Sequence, residues 1–389
     1  METETRTNAA QRIRVAFVTP RYACDHVRVS HKEARTFHEL GCEVTILCRN
    51  PRSDRYLGMR TFAAYGSASR LGLILATPLL ALQALRLKAD LYIAVNPFSL
   101  IVAILLALAG RRVIYITYED FRRKALIHSY IPWGLRTVVG YQVVLLEQLL
   151  ARISHATIVT QPDIQSRYAR SMLIENAPLT CGPVIDEARR LYDSLEPHQM
   201  PTLVYAGYIS RSRGLFAMLD VVAKLNEVRP WQLVLVGAIA PADHDAATAH
   251  AGWQYVNQVG CVSHACALAH IGHATFGLGL LSDVGGYSRT SMTKLYEYMF
   301  METPFVVSDF KRWRESVRDL PAGLFVDPTQ VESIARQIND VYEDQDRYRS
   351  MQKVGRQYIE QEFSWAIQSQ PLHSLLQDAR PGREEPSEA

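Results

Sequence analysis

IRVAFVTPRYACDHVRVSHKEARTFHELGCEVTILC, residues 13–48, opens with an apolar run that stops at Thr19-Pro20. A helical pattern follows from Ser30 to Leu40, Gly41 ends it, and EVTILC is a second apolar run. Strand, loop, helix, glycine and strand in that order make a right-handed βαβ unit. The alternation continues outward, with DLYIAV, RRVIYIT and HATIVT as strand candidates between helical segments. Runs that are apolar throughout suit a parallel sheet covered on both faces. The pattern then restarts with TLVYAG, WQLVLVG, QYVNQVG, ATFGLGLL, TPFVVS and AGLFVD as strands. GLFAMLDVVAKLNEV and SMTKLYEYMFM are helices between them. The reading is α/β, two Rossmann-like domains in tandem, with ligands expected at the strand ends in an interdomain cleft. The expected boundaries are 1–178, a linker over 179–199, 200–362, and a last helix and polar tail over 363–389.

A chain of 389 residues with 48% hydrophobic and 21% charged residues is long enough for two cores and is not globally disordered. The net charge of +3 hides an asymmetry. Residues 1–180 hold 23 of the 42 Lys and Arg but only a third of the 39 Asp and Glu. A basic first half points to an anionic partner such as a membrane surface or a lipid pyrophosphate; a spread of solvated arginines fits equally. The six cysteines form no C-x-x-C and read as core residues of a reducing, cytoplasmic compartment. The first 11 residues hold no apolar h-region of a secretory signal. Leu71–Leu87 and Ser99–Ala109 are apolar, but they read as core-facing or interfacial helices rather than spans. No motif for nucleic acid is present. No GxGxxG follows the first strand, which disfavours a dinucleotide site.

The strongest chemical signal is TSMTKLYEYMFMETPFVVS, residues 290–308. It reads as a short helix with Ser291 as N-cap, then Pro304 and a buried strand. Lys294 and Glu297 are three apart and share a face near the helix start. That end favours a diphosphate, and a carboxylate one turn on can accept two hydrogen bonds from a ribose diol. An ordinary surface Lys/Glu pair fits the same spacing. Upstream, Arg211 and Arg213 with Gly214 open a helix, which suits a pyrophosphate clamp or two solvated arginines. No DxD stands in a loop after a strand, so no divalent metal is expected, and these cations would stabilise a departing diphosphate instead. His264, His270 and His273 lack ligand spacing.

The 293–308 stretch resembles the donor motif of glycosyltransferase family 4, P-x-K-x-x-E-Y-M-A-x-G-x-P-V-V-A-S. LVYAGYISRSRGLFAMLDVVAKL resembles the opening of that family's second domain. CDHVRVSHKEARTFHELGCEVTIL and IYITYEDFRRKALIHSYIP resemble first-domain stretches, so the likeness runs over nearly the whole chain. The family's earlier glutamate falls on Arg289 and its loop glycine on Glu302; its first-domain histidine is Tyr118.

The resemblance implies a GT-B fold and a retaining hexosyl transfer from a UDP- or GDP-sugar to a glycan or lipid-linked acceptor, as in cell-surface polysaccharide assembly. It implies donor contacts from Gly207, Arg211, Arg213, Gly214 and Gly286, and from Lys294, Leu295 and Glu297 on the helix. Tyr118, Glu119, Arg213 and Lys294 would serve the chemistry. Tyr118 would donate to a sugar hydroxyl, or simply pack. Arg28, Lys32, Arg122 and Arg123 would meet the acceptor, with Trp133 and Leu135 at a membrane surface. A non-enzymatic GT-B binding protein with a decayed site is the alternative, resting on Tyr118, Arg289 and Glu302.

Overall fold

The computed structural model describes residues 12–51, 53–66, 69–127, 131–284 and 286–378. The expectations for residues 1–11 and for the polar tail after 378 lie outside the described residues. The chain divides into two compact units, one of residues up to Glu175 together with those from Ser369 on, the other Asn176–Gln368.

The first unit is built on an eight-stranded sheet. Its strands are β1 (Arg14–Ala23), β2 (Glu43–Arg49), β3 (Arg55–Tyr56), β4 (Met59–Ala63), β5 (Leu91–Val95), β6 (Val113–Thr117), β7 (Ala156–Val159) and β8 (Ser171–Leu173). Their order is β3-β4-β2-β1-β5-β6-β7-β8, parallel except for the antiparallel β3–β4 pair. β5 and β6 are buried throughout and β1 over its central six residues, as two-sided cover requires. The connection after β1 does not start at Ser30. It begins at Val27 as π-helix, Val27–Ala34, and tightens to α-helix over Arg35–Glu39. The wider π turns carry Arg28, Lys32 and Glu33, all buried. The stretch from Leu71 to Leu87 forms parts of two short helices, Arg70–Leu75 and Thr77–Arg86, the second with Pro78 in its first turn.

The second unit carries six parallel strands: β9 (Thr202–Ala206), β10 (Gln232–Val236), β11 (Val256–Gly260), β12 (Phe276–Gly279), β13 (Phe305–Ser308) and β14 (Gly323–Val326). The order is β11-β10-β9-β12-β13-β14, so the sheet reverses direction between β9 and β12. Ligands bind at such a switch point, beyond the strands' C-terminal ends. Residues 179–199, expected as a linker, instead hold the helix Pro183–Ser194 within this unit. Val184, Ile185 and Ala188 are buried, and the helix packs on His264–Gly272. Pro183 marks its first turn and not a break. No helix among the described residues is long and apolar enough to cross a membrane.

Candidate functional site

At the C-terminal end of β9 the chain turns at Gly207, whose φ is +129°. A Cβ there would lie 2.9 Å from both Cε and Nζ of Lys294, so the missing side chain is what lets the lysine lie across the strand end. Gly214, at φ +84°, is as constrained: a Cβ would sit 2.0 Å from the Leu280 carbonyl oxygen, just past β12. This close approach seats the helix Leu215–Asn226 against the switch point. Gly286 also has positive φ, in the loop whose Asp283 accepts from the Ser288 N–H and hydroxyl at 2.9 and 2.7 Å.

The cations gather here. Lys294 stands in the first turn of the helix Thr293–Phe300, its Nζ 5.1 Å from the Tyr205 ring centroid. Burial, with Arg213 nearby, lowers its pKa to about 8, although Glu297 and Tyr287 pull the other way. The Arg213 guanidinium lies between the Tyr208 and Tyr287 rings, at 6.0 and 5.8 Å. Glu297, one turn after Lys294, is partly buried, with Oε1 3.7 Å from Nε2 of His264. His264 starts the helix His264–Gly272, capped by Ser263, whose Oγ accepts from the Cys266 N–H at 3.2 Å. Local spacing gave no sign of His264; β11 and β12 bring it there.

Three expectations for this unit change. Arg211 is turned away onto Asp243, its N–H donating at 2.8 Å and its side chain at 3.7 Å, and it stacks on Phe216. Asp243 lies in the first turn of the helix Pro241–Thr248, and its charge draws the arginine. Leu295 is fully buried in the core, so its side chain packs and does not face a ligand. Ser291 is not the N-cap: Met292 holds that position, without a side-chain hydrogen bond.

Glu302 shows why a glycine suits its position. The helix ends with the Glu302 N–H bonded to Met299 and the Thr303 N–H to Tyr298, at 3.2 and 2.9 Å. That is a Schellman cap, and it holds Glu302 left-handed at φ +56°. Glu302→Gly is therefore expected to stabilise the fold by about 1 kcal/mol, read as a melting temperature about 2–4 °C higher.

A second cluster lies in the first unit, where β1, β5 and β6 end. Glu33 is buried, accepting from Arg28 Nε at 2.9 Å and from the Tyr118 hydroxyl at 2.7 Å. Burial raises its pKa, against the pull of Arg28 and Tyr118. Arg28 also donates to the Ile174 carbonyl at 3.1 Å and lies 4.5 Å from the Tyr118 ring centroid. The Tyr118 N–H is held by Asn96 at 3.1 Å, and burial together with Glu33 raises its hydroxyl pKa far up. His26, beside Tyr22 at a ring separation of 4.2 Å, is lowered to about 4 by burial and Arg28, so it is neutral at pH 7. Lys32 is buried on the same π turns.

The expected first-unit residues all have partners within the fold. The Tyr118 hydroxyl donates to Glu33 and so orders the cluster. Arg28 is held by Glu33 and by the Ile174 carbonyl. Glu119 is exposed and pairs with Lys124 at 2.7 Å. Arg123 bridges Asp120 and Asp163 at 3.3 and 2.8 Å, and Arg122 lies over Tyr141, 5.4 Å from the ring centroid.

Solved structures share this architecture. Sucrose-phosphate synthase from Thermosynechococcus elongatus is similar at a TM-score of 0.71 and 19% identity, over 94% of this chain and 99% of that one. Anabaena HepE in complex with UDP-glucose gives 0.68 at 14% identity, over 94% and 100%. An E. coli trehalose-6-phosphate structure bound with UDP-2-fluoro glucose gives 0.62 at 11%, over 96% and 100%. No curated protein matches the sequence. The two parallel-sheet α/β units are those of the GT-B fold, and residues 200–344 match the family model described as glycosyl transferases group 1.

Proposed function

We propose that this chain is a retaining glycosyltransferase of the family 4 type, moving a sugar from a nucleotide-sugar donor to a glycan or lipid-linked acceptor at a membrane surface, in the cytoplasm, for cell-surface polysaccharide or glycoconjugate assembly. The observation that carries the reading is the pairing of Lys294 and Glu297 on one helix at the β9–β12 switch point, with Arg213 beside the lysine. The match of residues 200–344 supports it. Relatives by fold with UDP, UDP-glucose and a fluorinated UDP-glucose favour UDP over GDP as the donor nucleotide.

In this reading the diphosphate lies on the N-terminus of the helix Thr293–Phe300, with Lys294 and Arg213 opposing its charge, and Glu297 accepts from the ribose diol. The bond from the anomeric carbon to the diphosphate oxygen breaks. The acceptor oxygen bonds to that carbon on the same face, and its proton passes to the departing diphosphate. The two cations stabilise charge where it develops, so the step needs no protein nucleophile and no metal. A thermal-shift titration with UDP-, GDP-, ADP- and dTDP-sugars tests the reading. One nucleotide is expected to raise the melting temperature at sub-millimolar concentration. The anomer of the product, read by NMR, tests retention. No shift with any of the four would overturn the donor site and favour a binding protein with a decayed site.

A further inference from the structure

In the first unit, the crossovers from β4 to β5, β5 to β6 and β6 to β7 all step the same way along the sheet. Right-handed crossovers then place their helices on one face. The helices Thr77–Arg86, Leu100–Leu108 and Arg136–Ile153 accordingly pack side by side, first on second and second on third. Their inner sides join one core through Leu80, Ala84, Leu106 and Leu150. Their outer sides are also apolar. Leu82 is 51% exposed, Leu108 71% and Leu145 66%. Leu105 and Leu149 extend the stripes one turn along their helices. Leu100–Leu108, LIVAILLAL, has no polar side chain at all, a composition that calls for cover on both sides. A face this apolar over three adjacent helices marks an interaction surface.

Charge selects the partner. The only carboxylate in the three helices is Glu147, and it is fully buried, accepting from the Tyr115 and Tyr168 hydroxyls at 2.8 Å each. The helices all run back toward the start of the next strand, so their C-termini share one edge of the face. Exposed Arg86, Lys88, Arg111 and Arg152 stand along that edge. A second copy of the chain packed on this face would find, among the described residues, no exposed carboxylate on the three helices to meet its cations, and Asp90 at the edge is already paired with Arg14. An anionic bilayer supplies both an apolar interior for the leucines and phosphates for the edge.

We propose that this three-helix face seats on an anionic lipid bilayer, with the leucines entering the acyl boundary and the cationic edge meeting lipid phosphates. The surface gives the acceptor proposed above a physical route, and it can be tested without donor or acceptor. The full chain is sedimented with vesicles of phosphatidylcholine, with and without about 30% phosphatidylglycerol, at about 50 and 500 mM salt. Binding is expected with the anionic vesicles and to weaken at high salt. The double variant Leu105→Glu, Leu145→Glu is expected to bind at least about tenfold more weakly at an unchanged melting temperature. Arg86→Gln, Lys88→Gln and Arg111→Gln together should lose about fivefold per cation and most of the salt dependence. Wild type left in the supernatant with anionic vesicles at low salt overturns the proposal, as does undiminished binding by both variants. A dimer on gel filtration that the leucine variant dissolves, without vesicle binding, would assign the face to a second copy. None of these outcomes depends on whether nucleotide sugars bind.

Discussion

Glu297→Ala is expected to abolish the donor-induced rise in melting temperature and to lower kcat/KM by about 100- to 1000-fold, with the protein still folded. Each hydrogen bond to a charged acceptor contributes about 1.5–3 kcal/mol, and a carboxylate holding a ribose diol makes two. Glu297 is fit for that task because no hydrogen bond among the described residues occupies its carboxylate. His264 stands 3.7 Å away, longer than a hydrogen bond, and the side chain is partly exposed. Glu33 is the contrast, fully buried with one oxygen bonded to Arg28 and the other to Tyr118. Removing a carboxylate that holds core side chains would unfold, whereas removing Glu297 empties a binding position. Glu297→Gln keeps the size and one acceptor, and should retain a weakened shift. His264→Ala should change donor affinity far less than Glu297→Ala. An alanine variant with the full wild-type shift would move the ribose contact elsewhere and remove the main support for the donor site.

The cluster proposed as the donor site was legible in the sequence for a local reason. Lys294 and Glu297 lie on one helix turn, Gly207 directly follows β9 and Gly214 directly precedes a helix, so each was visible from local spacing, although the contacts to Lys294 and Leu280 that make the two glycines necessary were not. Strands were legible where both faces are buried, as in VIYIT and TLVYA. The β3–β4 hairpin and β8 were not, because RY and SML are short edge segments, MRTFA lies next to the edge, and all three carry little apolar signal. The first-unit cluster was legible only in part. Tyr118 and Glu33 are 85 residues apart, and only the sheet order joins the ends of β1 and β6 across β5. Arg211 and Arg123 were read as free cations because their partners Asp243 and Asp163 lie 32 and 40 residues away. Single-residue chemistry identified the charges; topology decided which were already paired.

Donor affinity is expected to fall as pH rises through about 8, and Lys294→Met is expected to be inactive yet more stable than the wild type. Lys294 has its pKa lowered to about 8 because burial disfavours the ammonium and Arg213 adds a like charge. Below that pH the lysine is cationic and opposes a diphosphate; above it the free site is increasingly neutral. A bound diphosphate restores the charge, so binding above pH 8 takes up a proton, and affinity should drop by up to about tenfold per pH unit there. Calorimetry in buffers of different ionisation enthalpy reads that uptake directly. The stability sign runs the other way. The unfolded lysine holds its proton to the ordinary value of 10.5, so the unfolded state binds more protons between about 8 and 10.5, and stability rises with pH across that window. Below pH 8 the buried charge therefore destabilises the free protein, by about 3 kcal/mol at most, with part of this offset by the Tyr205 ring. Lys294→Met removes that burden and should melt higher at pH 7, with the gain gone by pH 10.5, while activity falls about 100- to 1000-fold. Donor affinity that is flat from pH 7 to 9.5, or a methionine variant no more stable than wild type at pH 7, would mean that Lys294 is not the cation facing the diphosphate. The same burial that makes the free protein less stable at pH 7 is what lets a bound diphosphate gain most from the lysine, since an ammonium already satisfied by a carboxylate would have little left to offer.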